Sequence, residues 1–234
     1  MPGTAVFDLD RTLTRLPTWT RFVYQANRHR PIFWLRLPVL VAQMLGYKLG
    51  LMDRTTIKNK FLATLAWAGR NRLEEAGKRF AEIEVQRGLR SRAKEQLDWH
   101  RARGDTLYMA TAAIDFVSGP IADLLGFDGI ICTRTAWPTN PKGVPVIDGL
   151  NCYDDEKFRQ VKAAVDTGDI KRPLYFYSDH VSDLDLLVWA DTGIAVNPSA
   201  KLRHAATPNG LITLDMDRDI MDGTDAAAGT RNVN

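Results

Sequence analysis

Two aspartates spaced i, i+2 close the run Ala5-Val6-Phe7-Asp8-Leu9-Asp10-Arg11-Thr12-Leu13-Thr14. Strand side chains alternate faces, so both carboxylates leave an apolar strand on one side as it passes into a loop. In open α/β sheets, ligands bind at the carboxyl ends of the strands. Two carboxylates with no obvious partner repel, and a divalent cation is their natural occupant. The structural alternative is an Asp-rich turn after a core strand.

Three later features supply what transfer of a phosphoryl group needs. Leu107-Tyr108-Met109-Ala110-Thr111-Ala112 is a second short apolar strand, ending on a hydroxyl that can donate to a phosphate oxygen. Lys157 places a cation at the start of an amphipathic segment, behind Asn151-Cys152-Tyr153-Asp154-Asp155-Glu156. Leu174-Tyr175-Phe176-Tyr177-Ser178-Asp179-His180-Val181-Ser182-Asp183 is another strand closed by spaced carboxylates. Cys152 lies near Lys157 without a paired His, so it reads as a small buried hydrophobe and not as a nucleophile.

The order strand-DxDxT, strand-Thr, Lys, strand-DxxxD resembles the haloacid dehalogenase (HAD) superfamily, on its phosphoserine-phosphatase-like side, subfamily IB. The resemblance runs from residue 4 to about 206, including Pro120-Ile121-Ala122, Leu125-Gly126 and Ala195-Val196-Asn197-Pro198. It implies a Rossmann-like doubly wound parallel sheet with an inserted all-helical cap, and hydrolysis of a phosphate monoester through an aspartyl-phosphate. Asp8 would be the nucleophile, and Asp10 the acid and then the base. Mg2+ would be held by Asp8, the backbone carbonyl of Asp10 and Asp179, with Asp183 ligating through water or orienting Asp179. Thr111 and Lys157 would bind the phosphoryl oxygens, helped by backbone amides near Leu9 and Ala112; a purely structural Lys157 is the alternative. Arg11, Trp19, Arg21 and His180 are candidate substrate contacts, set against packing for Trp19 and a helix-start role for His180.

The rest of the chain agrees with an α/β protein. Strands are expected at 4–9, 106–111, 129–133, 173–178 and 192–196, and helices near 115–125, 155–166 and 183–190, with Gly126 capping the first of these helices. Residues 134–152, with Pro138, Pro141, Gly143, Pro145 and Gly149, read as an irregular loop or hairpin, and 215–234 as a frayed tail. The catalytic core is therefore assigned to 1–14 and 101–214. Hydrophobic residues at 45% and charged ones at 25% fit an ordinary globular protein. Cys132 and Cys152 are too few for a disulfide framework, and the first strand starts too early for a signal peptide, so a reducing cytoplasm is expected.

Residues 15–100 differ in kind: helical periodicity runs almost throughout, with Asn71-Arg72-Leu73-Glu74 as a capping box, Gly88 ending a helix and Ser91 beginning the next. This is the expected cap, which would exclude water and touch substrate. It holds seventeen Lys and Arg against seven Asp and Glu, while the remainder of the chain is net acidic. Its basic first half encloses the apolar stretch 32–45, which carries Arg36 and Pro38 and falls short of the roughly 20 residues that span a bilayer. Two readings stand for it: a helix buried in a bundle, or peripheral contact with the inner face of a membrane. No nucleic-acid motif accompanies the charge, and no such partner is expected.

The substrate is less defined. Phosphoserine phosphatases of this subgroup carry a glutamate shortly after the first motif, where this chain has Pro17 between Arg15 and Thr18, which argues against phosphoserine itself. The basic apolar start of the cap, Tyr177-Ser178-Asp179 and Glu156-Lys157 are similar to the phosphatidylglycerophosphatase C branch, which implies a lipid phosphate. Small soluble phosphates, such as sugar, amino-alcohol or histidinol phosphates, are the alternative. A non-catalytic peripheral membrane module on the same scaffold is a third.

Overall fold

The computed structural model describes residues 1–138 and 143–217. Seven strands form one sheet: β1 (Thr4–Phe7), β2 (Thr106–Ile114), β3 (Gly129–Ala136), β4 (Val146–Asp148), β5 (Leu174–Ser178), β6 (Thr192–Val196) and β7 (Ile212–Leu214), in the order β4-β3-β2-β1-β5-β6-β7. All neighbours are parallel except the β3–β4 hairpin. The 134–152 region thus resolves into a hairpin, and its Pro141 lies outside the described residues.

β1 is central and buried on both faces, as a parallel strand covered by helices must be. Phe7 pairs with Met109 of β2 on one side and Tyr177 of β5 on the other, so three carboxyl ends finish side by side. The expected strand boundaries move in two places. β1 stops at Phe7, not at residue 9, because Leu9–Leu13 turns tightly, with Arg11 at φ 64°. β2 runs past Thr111 to Ile114, with a register shift against β3 between those two residues.

Helices α1 (Thr18–Asn27), α2 (Pro31–Lys48), α3 (Arg54–Ala63), α4 (Arg70–Arg87) and α5 (Ala93–Ala102) lie between β1 and β2. The excursion leaves and returns through a narrow stem: Thr14 pairs antiparallel with Leu89, Arg15 N–H donates to Gly88 O and Arg90 N–H to Leu13 O. Gly88 does cap α4, but the expected capping box is absent: α4 begins at Arg70, and Glu74 pairs with Arg70 instead. At Gly77 a Cβ would sit 2.0 Å from the Phe116 carbonyl, so only glycine lets α4 lie this close to α6 (Asp115–Leu124). Beyond it come α7 (Asp155–Thr167), α8 (Leu184–Trp189) and α9 (Ala200–Ala206), and Gly126 follows α6 at φ 65°.

Under the sheet, α5 is fixed by a buried polar network. His100 Nδ1 lies 2.8 Å from Asp105 Oδ2, and its Nε2 lies 2.8 Å from the Tyr177 hydroxyl, which accepts from Gln96. Phe7 stacks on Tyr177 with ring centres 4.2 Å apart. Burying two such rings contributes several kcal/mol of apolar transfer, about 2–3 each.

The apolar stretch within α2 is not buried in a bundle: Phe33, Leu40 and Gly46 are its buried residues. No helix among the described residues is long and apolar enough to cross a membrane. Of the expected tail, residues 215–217 are held to the core, since Met216 is fully buried, its carbonyl accepts from Arg92 N–H, and Asp215 accepts from Asn197; 218–234 lie outside the described residues.

Candidate active site

The turn after β1 is shaped by its own side chains. Thr14 N–H and Oγ1 both donate to Leu9 O, which commits that carbonyl and closes the turn. The left-handed backbone at Arg11 costs a non-glycine residue about 1 kcal/mol; Arg90 offsets this by donating to the Arg11 carbonyl from Nε at 2.8 Å and from Nη2 at 2.6 Å. The turn leaves Asp8 buried and Asp10 half-buried, differently partnered.

Asp8 is held at both oxygens. Lys157 Nζ donates to Oδ1 at 2.8 Å and Thr12 Oγ1 to Oδ2 at 3.0 Å. Lys157, at the start of α7, also donates to Asp183 Oδ2 at 2.8 Å, where Ser178 Oγ adds a bond of 2.7 Å. The Thr12 hydroxyl in turn accepts from Asp179 N–H at 3.1 Å, which joins the end of β1 to the end of β5. Thr12 belongs to the first motif, yet its role as a bridge is visible only in three dimensions.

Charge crowding shows in the ionisation of these groups. Burial pushes the Asp8 carboxyl up to about 7; Lys157 pulls it back, and Asp183 and Asp179 push it further. Burial raises Asp179 to about 6, against the pull of Arg11. Burial alone would depress the Lys157 ammonium, but Asp183 and Asp8 more than reverse this and hold it charged. Asp10 is raised by burial, and its Oδ1 accepts from Thr18 N–H at 2.8 Å and Thr18 Oγ1 at 2.7 Å at the first turn of α1. That carboxyl is thereby aimed from one oxygen while the other stays available.

Thr111 is buried, and its Oγ1 accepts from Ala113 N–H at 3.1 Å. It lies two residues past the Phe7–Met109 pair, one position beyond the level of Asp8. Ala112 also takes part through its carbonyl, which accepts from Lys58 and Thr133. Lys58 is a residue that sequence reasoning passed over. It reaches down from α3, buried, to Ala112 O, Asn151 Oδ1 and Thr133 Oγ1, and burial depresses its ammonium to about 8 while Asp10 draws it up. In the sequence it was one more cation in a basic segment.

The expected substrate contacts divide. Trp19 is buried and stacked against Phe22, so it packs and does not line an entrance. Arg21 is committed to the buried carboxylate of Glu84, which removes it from the set of free cations. His180 lies at the rim, 6.4 Å from the Tyr153 ring, with Nδ1 2.9 Å from Ser182 Oγ and accepting from Ser182 N–H; the helix-start role is the one it performs. The Arg11 side chain is exposed beside Asp179. Cys152 is buried and its thiol is pushed up to about 12 by burial, so it stays protonated.

A magnesium ion fits this donor set. Among the described residues no three of His, Cys, Asp and Glu form a ready-made cage. Magnesium needs less, taking one or two carboxylates with carbonyls and waters. Asp183 Oδ1 is buried without a hydrogen-bond partner, and Asp8 and Asp179 are raised partly by acidic neighbours. A cation would offset both costs.

Comparison with known proteins follows the same lines. The sequence profile of the haloacid dehalogenase-like hydrolases matches residues 5–187. Protein CicA of Caulobacter vibrioides is 29% identical over 194 residues, covering 81% of this chain and 84% of that protein. Histidinol-phosphatase of Neisseria meningitidis serogroup C is 23% identical over 225 residues, covering 90% and 97%. A solved protein of unknown function from Bordetella pertussis superposes with a TM-score of 0.79 at 26% identity, over 92% of this chain and 99% of that one. A substrate-bound phosphoserine phosphatase gives a TM-score of 0.62 at 14% identity, over 93% and 94%, a likeness of fold alone.

Proposed function

The chain belongs to the haloacid dehalogenase-like hydrolases, and on that premise we propose that it hydrolyses phosphate monoesters through a covalent intermediate on Asp8. The observation that carries the reading is the Lys157 ammonium shared between Asp8 and Asp183 at the meeting point of β1 and β5. An aspartate held at both oxygens beside a buried cation is positioned as a nucleophile toward an anionic ester.

In the first half-reaction an Asp8 oxygen bonds to phosphorus as the ester P–O bond breaks, and Asp10 gives its proton to the departing alkoxide. Burial raises the Asp10 carboxyl against the pull of its Thr18 hydrogen bonds, and Thr18 aims it. In the second, Asp10 takes a proton from water as its oxygen attacks phosphorus, and the Asp8–phosphorus bond breaks to free phosphate. Lys157 and Thr111 bind phosphoryl oxygens throughout. Asp8, the Asp10 carbonyl and Asp179, with Asp183 behind, would hold Mg2+, which when bound would supply further positive charge for the phosphoryl group. Asp183 acts chiefly by orienting Lys157, since its Oδ2 accepts from that ammonium and from Ser178.

Helices α1 to α4 form the cap over this site, with Lys58 clasping it to the core. The alignment with a histidinol-phosphatase over nearly its whole length favours a small phosphorylated metabolite, and the relatives' names give phosphatidylglycerophosphate no support. The test is brief incubation with an aryl phosphate and Mg2+, acid quench, and a search for a phosphoryl adduct on the peptide containing Asp8. The adduct is expected in the wild type and absent in Asp8→Asn. Turnover without an adduct overturns the intermediate, and absence of turnover under all metal conditions favours a non-catalytic scaffold.

A further inference from the structure

We propose that α2 and the turn after it dock this protein on the surface of an anionic lipid bilayer. The helix packs inward through Phe33 and Leu40 and leaves most of its apolar side chains outside, with Leu35 at 75%, Val41 at 60% and Leu49 at 66% exposure. At about 100° per residue, Leu35 and Val39 share the outward side, flanked by Trp34, Val41 and Leu45, and the turn after the helix covers the far end of that side by laying Met52 over Gly46. Arg36 and Lys48 fall on the two borders of that face, with Arg28 just before the helix, and all three are exposed. Among the described residues none of these three cations forms an ion pair in the way that Arg21, Arg70 or Arg90 does.

The chemistry of the face selects its occupant. A contiguous apolar surface of this kind marks an interaction site, and cations bordering it suit a layer whose acyl region takes the apolar groups and whose headgroups are anionic. No Asp or Glu occurs between Asp10 and Asp53. A second copy of the chain laid on the same face would therefore set cations against cations with no carboxylate to receive them. The helix has two sides, one already used by Phe33 and Leu40, so it lies along the interface and does not cross it, in keeping with the absence of a spanning helix among the described residues.

The inward side of α2 is joined to the candidate site. The Arg54 guanidinium lies 5.6 Å from the Tyr47 ring centre at the end of α2 and 3.4 Å from that of Tyr153, and Tyr153 reaches His180, next to Asp179. The docking stands independently of the phosphatase reading, because its test is binding and not turnover.

The full chain is floated with phosphatidylcholine vesicles and with phosphatidylcholine–phosphatidylglycerol vesicles. Binding is expected to be at least about tenfold tighter to the anionic vesicles and to weaken as salt is added. The double variant Leu35→Glu/Val39→Glu should lose this binding while keeping the wild-type rate on a soluble aryl phosphate. Should that variant fail to fold, Arg36→Gln/Lys48→Gln removes the borders alone and should abolish the preference for anionic over neutral vesicles. The proposal is overturned if the wild type binds neither vesicle. It is equally overturned if a folded Leu35→Glu/Val39→Glu or the Arg36→Gln/Lys48→Gln variant behaves as wild type, or if the wild type is a dimer that those substitutions split without any vesicle binding.

Discussion

Two buried polar clusters lie within a few residues of each other along β5, and they are finished differently. In the cluster below the sheet every group is matched. Neutral His100 donates from Nδ1 to Asp105, whose carboxylate can only accept, so Nε2 accepts from the Tyr177 hydroxyl. Asp105 is further served by Gly3 N–H and Arg103, and its carboxyl lies below the usual range despite its burial. At the carboxyl ends of the strands, one ammonium serves both Asp8 and Asp183, a buried oxygen of Asp183 has no partner, and the Asp8 and Asp179 carboxyls are raised. A cluster meant only to hold structure saturates its groups; one meant to receive an ion and an ester keeps capacity in reserve at a cost in stability.

The comparison breaks most visibly at Asp8. Asp8→Asn should lower the rate on any phosphate monoester by about 10⁴-fold or more while the protein stays folded; a variant within tenfold of wild type would remove the nucleophile. Asp10→Asn should cost about 10²–10⁴-fold on alkyl phosphates, and much less on an aryl phosphate, whose leaving group needs no proton. Equal losses on both substrates would show that Asp10 is not the acid. In the lower cluster, Tyr177→Phe leaves His100 Nε2 without its donor and should cost about 1–3 kcal/mol in denaturant unfolding, with kcat near wild type. A large drop in kcat at unchanged stability would erase the division between the clusters.

The smallest effect is a difference of sign with pH. Asp8 and Asp179 are raised in the folded state, to about 7 and about 6, so the folded chain binds their protons more tightly than the unfolded one. Their contribution favours the fold in acid and is lost as pH rises through 6 to 7. His100 is lowered by burial, so its contribution is present above its unfolded value and lost as pH falls. Melting curves of chelated protein should therefore show a shallower alkaline decline in Asp8→Asn, where Asp179 remains, and a shallower acid decline in His100→Gln. Mg2+ should raise Tm more at pH 8 than at pH 5. Identical pH profiles in the two variants would refute the contrast.

The acidic half of the site was legible from short-range pattern. Asp8, Asp10, Asp179 and Asp183 each follow an apolar strand, and such a strand is recognisable by itself. What could not be read is what depends on convergence. Lys58 is an unremarkable cation until α3 folds it against Ala112 and Asn151. Thr18 looks like any helix start until Asp10 turns toward it. Arg21 seemed free because its partner, Glu84, is 63 residues away. The fate of α2 was also hidden, since a run apolar on nearly all sides carries no periodicity to say which side is covered. The short edge strand β7 and helix α9 escaped for lack of length.

The narrow stem at Thr14 and Leu89 has a consequence for how such a molecule can change. Because the chain leaves the sheet and comes back through adjoining residues, the strand ladder itself is not interrupted by what is strung between them, which meets the core through side chains such as Lys58 and through the close seat of α4 on α6. Lineages are free to lengthen, shorten or recolour the excursion, altering which compounds gain entry, while the reacting groups beneath keep their spacing.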